Sequence, residues 1–421
     1  MTKQHLNLKL RVEKNLVARE RPSRRVVEIK LQAPKLLNPV TERIPLNLAL
    51  VIDRSGSMSG DKIEYVKQAA KHVIGLLQED DRAAVYIYDD EIDCIMPNVR
   101  LTENNRQRCL SAIDEVSARG MTNLSGGWLA GCEAVAEHLD AETINRVLLL
   151  SDGLANKGIT SHSALGEHAA EINKRGVTTS TFGVGLDFSE HLLELMANQG
   201  GGNFYYIESP SQIQEIFLQE LEELLHVSVK DVALQLSLPD RGSSFEILGG
   251  WQHSVEENTV KIHISDLAES QERAVYLIAS IPDSDEMATV PLTVALTALD
   301  ENGDKIEQEM DVTFSYASLE ECEAAPYDEE LMERYSRVHL SDTTREALLL
   351  ERQGKHKQAS ELLNKAIHET AGFMPMAAME AFEERRDKLE QGLSERARKR
   401  MHYNTYRASR TRDEGEELDE E

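Results

Sequence analysis

The period of the apolar residues changes three times along this sequence, and these changes limit the folds open to the chain. Between residues 44 and 225, nearly unbroken apolar runs such as residues 46–52 alternate with stretches whose apolar residues recur every three to four positions, as in residues 61–77. Short apolar runs are typical of strands covered on both faces, and helical spacing gives one apolar face. The alternation predicts an α/β fold with a doubly wound, mostly parallel sheet.

On both sides of this region, apolar and polar residues alternate, which indicates strands with one solvated face. Such segments are residues 6–12, 27–31, 232–238, 260–264 and 290–296. We predict an antiparallel β-sandwich of about five or six strands over residues 227–320. Because the N-terminal strands lack a core of their own, residues 1–42 are expected to complete this sandwich. The α/β domain, residues 43–226, would then be inserted between the two parts.

Residues 327–403 return to helical spacing and form the third predicted region. Residues 347–366 resemble one helix-turn-helix unit of a tetratricopeptide repeat. One unit cannot bury its own face, and free-standing arrays usually need at least about three. We therefore interpret the stretch as a helical hairpin docked on a neighbouring domain. Residues 404–421, which end in a strongly acidic run, are predicted to be disordered.

Polar loops follow segments of the predicted parallel sheet. Asp53, Ser55 and Ser57 form an Asp-x-Ser-x-Ser motif after the first buried strand, Thr122 lies in a glycine-rich loop, and Asp152 ends a second buried strand. Ligands of open α/β sheets bind beyond the carboxyl ends of the strands, so we expect these loops to meet. Their compact oxygen donors suit a hard cation of near-octahedral geometry, which favours Mg²⁺ or Mn²⁺ over Zn²⁺.

These motifs, in this order and on these strands, closely resemble the metal-ion-dependent adhesion site of von Willebrand factor A (VWA) domains. The resemblance implies that Ser55 and Ser57 ligate the metal directly and that Thr122 does so directly or through water. It implies that Asp53 and Asp152 act mainly through water. A lone Asp-x-Ser-x-Ser loop would more often be a helix-capping turn. Thr122 and Asp152 on the matching loops make the metal site the favoured interpretation.

The same resemblance implies a function. A partner protein would supply an Asp or Glu carboxylate to the open coordination position, so we expect a metal-dependent interaction module and no enzymatic activity. The flanking β segments are similar to the sandwich found beside this domain in bacterial proteins and in inter-α-trypsin inhibitor heavy chains. Some intracellular proteins with this domain work beside AAA+ ATPases, so an adaptor for such a remodelling machine is the second hypothesis.

Composition restricts the partners and the compartment. The formal net charge of −28 argues against nucleic acid as the main partner. The four cysteines are scattered without a Cys-x-x-Cys pair, which indicates neither a disulfide framework nor a zinc ribbon. The chain begins without the apolar stretch of a secretion signal, and no run approaches the ~18 apolar residues of a membrane span. We therefore expect a cytoplasmic protein without membrane contact.

One basic segment leaves two interpretations open. Arginines and lysines are frequent between residues 385 and 412, where Tyr403 and Tyr406 lie among them. They could form a solvated helix face that pairs partly with Glu383, Glu384 and the acidic tail. They could instead form a strip that binds RNA or a partner.

Overall fold

The computed structural model describes residues 6–36, 43–239, 242–256 and 258–410. Their strands form three sheets. The strands are β1 (Asn7–Val12), β2 (Leu16–Ala18), β3 (Ser23–Gln32), β4 (Leu46–Asp53), β5 (Arg82–Tyr88), β6 (Ile92–Arg100), β7 (Ile144–Ser151), β8 (Thr178–Val184), β9 (Gly201–Ile207), β10 (Val227–Ser237), β11 (Ser244–Ile247), β12 (Gln252–Glu256), β13 (Thr259–Ala268), β14 (Glu272–Ile281), β15 (Thr289–Asp300) and β16 (Lys305–Ala317).

The α-helices of the described residues are α1 (Asp61–Leu76), α2 (Glu103–Asp114), α3 (Leu124–Ala136), α4 (His162–Lys174), α5 (Glu190–Gln199), α6 (Ile213–Leu225), α7 (Leu319–Ala324), α8 (Glu329–Arg352), α9 (His356–Thr370), α10 (Met376–Gln391) and α11 (Glu395–Ser409). None of them is long and apolar enough to cross a membrane.

The α/β domain contains one sheet in the order β6-β5-β4-β7-β8-β9. Its strands pair in parallel, except that β6 runs antiparallel to β5. Every residue of β4 and β7 is buried, because α1, α2 and α6 cover one face of the sheet and α3, α4 and α5 cover the other. The predicted doubly wound, mostly parallel sheet is confirmed.

Two further sheets pack into a β-sandwich with a shared apolar core. Their strand orders are β1-β3-β14-β11 and β12-β13-β10-β15-β16-β2. β3 pairs with β14 along its full length, from Ser23 to Gln32, and β2 pairs in parallel with β16. The N-terminal strands therefore complete the sandwich, and the α/β domain is inserted between β3 and β10, as predicted.

The sandwich has more strands after the insertion than the sequence pattern indicated. The described residues after 226 contain the seven strands β10 to β16, where five or six were expected. β11 has four residues and β12 has five, and most of their residues are exposed or half-buried. Strands this short and this weakly buried leave no clear alternation of apolar and polar residues in the sequence.

The C-terminal helices contact both other regions. α8 packs on the sandwich through Leu331 and Tyr335, and it packs on α9 and α11 through a separate apolar cluster. α11 lies against the α/β domain, where the backbone N–H of Phe204 donates to the hydroxyl of Tyr406 at 3.1 Å. The helical hairpin is thus docked on its neighbours.

α11 corrects the predicted start of the disordered tail. Disorder was expected from residue 404, but the helix continues to Ser409. Thr405, Tyr406 and Ser409 are buried at the contact with the α/β domain, so packing extends the helix past the point where the sequence becomes polar. The rest of the predicted tail, residues 411–421, lies outside the described residues.

The basic residues of α11 differ from both interpretations of the basic segment. Lys399 is buried and pairs with Glu190 at 2.8 Å, while Arg400 pairs with Glu208 at 2.9 Å. Arg398 pairs with Glu351 of α8 at 2.7 Å. Much of the positive charge of α11 therefore neutralises glutamates of the molecule itself.

Candidate metal site

The loop after β4 is anchored by a buried carboxylate. Asp53, the last residue of β4, has no solvent exposure. One of its oxygens accepts from the backbone N–H of Ser55 and the other from the Ser151 hydroxyl, each at 2.8 Å. Burial raises the pKa of Asp53 to about 6, against the lowering effect of these hydrogen bonds. Both oxygens are thereby fixed in orientation at the carboxyl edge of the sheet.

Three hydroxyls and a second carboxylate meet beside it. Ser55 Oγ lies 3.1 Å from Ser57 Oγ, and Ser57 Oγ donates to Asp152 Oδ1 at 2.7 Å. A Cβ atom built on Gly153 would lie 3.4 Å from Thr122 Oγ1 and 3.8 Å from Ser57 Oγ, which places these hydroxyls on the same side of Gly153. The structure therefore brings together all five residues predicted from the sequence, and we call Asp53, Ser55, Ser57, Thr122 and Asp152 the loop site.

Backbone hydrogen bonds tie the three loops to one another. The N–H of Gly56 donates to the carbonyl of Gly120 at 3.1 Å. Thr122 and Asn156 join the second and third loops, because Asn156 N–H donates to the Thr122 carbonyl and Thr122 N–H donates to Asn156 Oδ1. Gly120 has a φ of 72°, and a Cβ there would lie 2.3 Å from Asp90 Oδ1. The loops thus form one connected edge, and glycine is required at position 120.

The charges around the loop site leave it net negative. Arg54 follows Asp53 in sequence, but its guanidinium pairs with Asp89 at 3.0 Å and Asp93 at 2.5 Å, outside the site. Lys62 of α1 places its Nζ 2.5 Å from Asp152 Oδ2. Two carboxylates therefore face one ammonium group, and the surplus negative charge favours a cation.

The donor set fits a hard divalent ion. All the donors are hydroxyl or carboxylate oxygens. In an octahedral Mg²⁺ site with bonds of about 2.0–2.1 Å, adjacent ligand oxygens lie roughly 2.9 Å apart. The separations of 3.1 Å between Ser55 and Ser57 and 2.7 Å between Ser57 and Asp152 are close to that spacing. These oxygens need little movement to serve as neighbouring ligands of one ion.

Comparison with known proteins identifies the domain. The family model of the von Willebrand factor type A domain matches residues 47–219. This chain contains a VWA domain. Domains of this family commonly bind a divalent metal, and the matched residues include all five residues of the loop site.

The VWA domain has relatives in bacteria and animals. The chain is 30% identical over 199 residues to the uncharacterized protein YfbK of Escherichia coli, covering 47% of this chain and 34% of that protein. It is 29% identical over 249 residues to the uncharacterized protein sll0103 of Synechocystis, covering 56% and 57%. Human inter-alpha-trypsin inhibitor heavy chain H3 is 28% identical over 196 residues, covering 44% and 22%. The chain thus spans less than two thirds of each of these relatives.

Solved structures share the architecture beyond the VWA domain. A von Willebrand factor type A protein from Catenulispora acidiphila superposes with a TM-score of 0.68 at 18% identity, covering 87% of this chain and 88% of that one. The ArnB paralog VWA2 from Sulfolobus acidocaldarius gives 0.63 at 17% identity, covering 96% and 98%. At this identity the likeness concerns the fold alone. The VWA domain with its β-sandwich and C-terminal helices is therefore a recurring arrangement.

Sequence reasoning missed two residues of the site, Ser151 and Lys62. Ser151 stands immediately before Asp152, and its hydroxyl fixes Asp53. Lys62 lies in the first turn of α1, where a positive charge opposes the helix dipole. A lysine in that position could have indicated a carboxylate nearby, but the pattern does not say which one.

Three exposed apolar side chains lie in loops at the same edge of the VWA sheet as the loop site. Met121 precedes Thr122 and is 56% exposed, and Leu154 is 58% exposed in the third loop. Leu186, 37% exposed, follows Gly185, whose built Cβ would lie 3.6 Å from Lys62 Nζ. We call Met121, Leu154 and Leu186 the apolar rim.

Proposed function

We propose that the VWA domain binds Mg²⁺ or Mn²⁺ at Asp53, Ser55, Ser57, Thr122 and Asp152 and there holds a carboxylate of a partner protein. The observation that carries the proposal is the spacing of Ser57 Oγ, 3.1 Å from Ser55 Oγ and 2.7 Å from Asp152 Oδ1. Three loops supply these atoms, and each loop is hydrogen-bonded to another. The donors are thus already gathered before a ligand arrives.

The chemistry of the donors suits the capture of an anion. A bound divalent ion would offer a coordination position to an incoming Asp or Glu. Neutral hydroxyls, such as those of Ser55, Ser57 and Thr122, reduce the charge of a cation less than carboxylate ligands do. Asp53 is held by its own hydrogen bonds to Ser55 and Ser151, so it contributes mainly through its charge. A partner carboxylate would complete the set of ligands.

The apolar rim supports a protein as the partner. Exposed aliphatic side chains beside a polar centre are typical of protein-binding surfaces, which combine apolar contact with a few oriented polar groups. A partner segment with one acidic residue between apolar side chains would fit such a surface. We therefore propose an interaction module and not an enzyme.

Metal binding can be tested on the full chain with Mn²⁺, followed by electron paramagnetic resonance. We expect the unchanged protein to bind one Mn²⁺ per chain. We expect Ser57→Ala to weaken this binding at least tenfold. Ser59→Ala is the matched control, because Ser59 is an exposed serine of the same loop that lies outside the donor set. Equal Mn²⁺ affinity in both variants would overturn the assignment of the loop site.

Partner binding can be tested by affinity purification from the native host in Mg²⁺ and in EDTA. We expect a partner that is retained in Mg²⁺, released by EDTA, lost with Ser57→Ala and kept with Ser59→Ala. Retention that is unchanged in EDTA would contradict the mechanism. The adaptor role beside an AAA+ ATPase stays a prediction, and an ATPase of that class in the Mg²⁺-dependent fraction would support it. A cytoplasmic location stays a prediction as well.

A further inference from the structure

A second group of metal-ligating side chains lies away from the loop site, where α11 packs on α5. His191 and Glu194 are three residues apart on α5, and His402 comes from α11. One potential ligand atom from each residue can be chosen so that all three lie within 4.8 Å of one another. We call this contact between the two helices, including the pair of Glu190 and Lys399, the seam.

His402 is the least satisfied residue of the seam. It is 1% exposed, and its Nε2 lies 2.5 Å from Glu194 Oε2. Its Nδ1 has no hydrogen-bond partner among the described residues, and its Nε2 has only this carboxylate contact. Buried polar groups are normally paired, because an unpaired one loses its hydration without compensation. His402 therefore has hydrogen-bonding or ligand capacity that the described residues do not use.

Glu194 is oriented so that one oxygen faces His402. Its Oε1 accepts from Arg345 at 2.6 Å and from Asn198 at 3.3 Å, which leaves Oε2 on the side of His402. Burial opposes ionisation, but Arg345 and His402 outweigh it and hold the pKa of Glu194 well below its usual range. The carboxylate is therefore ionised and fixed by groups on its far side.

His191 completes the cluster from the more open side. Its side chain is 21% exposed, and its ring meets the His402 ring edge-on with centroids 4.6 Å apart. Its ring therefore lies between His402 and solvent, and imidazole is the commonest side-chain ligand of transition metals.

We propose that His191, Glu194 and His402 form a second metal site, selective for Zn²⁺ and Co²⁺ over Mg²⁺ and Mn²⁺, that joins α11 to the VWA domain. Two imidazole nitrogens and one carboxylate oxygen are ligands that Zn²⁺ prefers, whereas the loop site offers oxygen alone. Tetrahedral ligands about 2.0–2.1 Å from Zn²⁺ lie roughly 3.3 Å apart, so small side-chain movements suffice. Water could reach a fourth position past His191.

The neighbouring positive charges are largely compensated. Lys399 and Arg352 lie close to the cluster, but both pair with Glu190, at 2.8 Å and 3.0 Å. Arg345 pairs with Asp342 as well as with Glu194. A dication at the seam would therefore face little net positive charge.

The test uses the full chain with Ser57→Ala, so that the loop site is disabled, in excess Mg²⁺. Co²⁺ is titrated as a spectroscopic substitute for Zn²⁺, and Zn²⁺ binding is measured by calorimetry. We expect one Co²⁺ per chain, with the intense visible absorption of four-coordinate cobalt. His402→Gln and His191→Gln should each weaken binding at least tenfold. His168→Gln, an exposed histidine on α4, is the matched control and should leave binding unchanged.

A second measurement follows the seam itself. Zn²⁺ should slow amide hydrogen exchange in α11, and it should not do so in His191→Gln. Because His191 is partly exposed, this variant keeps the test valid even if His402→Gln fails to fold. Absence of stoichiometric binding, or equal affinity in His191→Gln and His168→Gln, would overturn the proposal. A metal-free contact between His402 and Glu194 would then account for the cluster. The result does not depend on whether the loop site binds Mg²⁺.

Discussion

The loop site and the seam both gather ionisable side chains, but the chain builds them by different means. The loop site lies at the open edge of a sheet, and backbone hydrogen bonds between loops such as Gly56 to Gly120 hold it together. The seam lies between two helices and is held by buried charges such as Lys399 and Glu190. A side chain of the loop site can therefore be replaced while the backbone hydrogen bonds still hold the loops in place. The charged side chains of the seam, in contrast, themselves stabilise the packing of the two helices.

This difference predicts opposite responses to substitution. At the loop site, ligand affinity should change while stability is retained. At the seam, stability should change while Mg²⁺ affinity at the loop site is retained. Variants that affect both properties at once would remove the distinction.

The largest effect on stability is expected from Lys399→Met. Lys399 Nζ lies 2.8 Å from Glu190 Oε2 and donates to the Phe188 carbonyl at 2.6 Å, with both charged residues buried. Removing one partner of a buried ion pair costs about 3–5 kcal/mol when the other is left without compensation. Arg352, which is more exposed than Lys399, stays 3.0 Å from Glu190, so we expect a loss near the lower end of that range. Urea unfolding should show that loss, and Mn²⁺ affinity of the native protein should be unchanged.

The matched control is Lys357→Met on α9. Lys357 is 85% exposed and lies 3.8 Å from Glu361, and exposed pairs of this kind contribute roughly 0–1 kcal/mol. Adding Glu190→Gln to Lys399→Met should recover part of the stability, because it removes the buried charge that has lost its buried partner. If Lys399→Met costs no more than Lys357→Met, the buried charges do not hold α11 in place.

The two regions also differ in how far the sequence predicts them. The loop site is local: Asp53, Ser55 and Ser57 lie within five residues, and Thr122 and Asp152 lie in loops that a parallel sheet brings to the same edge. The seam joins residues from distant parts of the chain, such as Glu190 and Lys399. Sequence spacing therefore could not pair them, and the basic residues of α11 were interpreted as a solvated face or a binding strip.

The elements of the fold differ in the same way in how far the sequence predicts them. The strand-helix alternation identified the parallel sheet, because buried strands and amphipathic helices each leave a local pattern. The short β11 and β12 left none, and the end of α11 was predicted too early because its burial depends on the VWA domain. Features that depend only on tertiary contacts could not be predicted from the sequence.

The next largest effect is expected from Asp152→Ala. Asp152 contacts Ser57 through one oxygen and Lys62 through the other. Even groups that only orient or charge a metal site are worth on the order of 10- to 100-fold in metal affinity, so a residue whose oxygen lies among the donor oxygens should be worth at least as much. Mn²⁺ titration should show a weakening of that size, while the urea midpoint stays close to that of the unchanged protein. His402→Gln is the converse control. It changes the seam, and Mn²⁺ affinity at the loop site should stay the same in this variant if the two regions act independently.

A smaller effect of opposite sign is expected from Lys62→Met. Its ammonium group occupies one oxygen of Asp152 at 2.5 Å, so it competes with an incoming cation for the same carboxylate. Lys62 is partly exposed, and such ion pairs are worth up to about 1 kcal/mol, or roughly fivefold in affinity. Calorimetry should show tighter Mg²⁺ binding in Lys62→Met. Weaker binding would indicate instead that Lys62 positions Asp152 for the metal.

The smallest effect is expected at the apolar rim, and it separates partner binding from metal binding. Leu154→Ser removes a 58% exposed aliphatic side chain beside the loop site without touching a donor oxygen. Most interface residues contribute about 1 kcal/mol or less when truncated, so Mg²⁺-dependent partner affinity should fall a few-fold while Mn²⁺ affinity stays constant. Val255→Ser, at a 62% exposed position on β12 of the sandwich, should change neither. If Leu154→Ser leaves partner affinity at the level of Val255→Ser, the partner contacts the metal edge without the rim, and the proposed surface is smaller than the structure suggests.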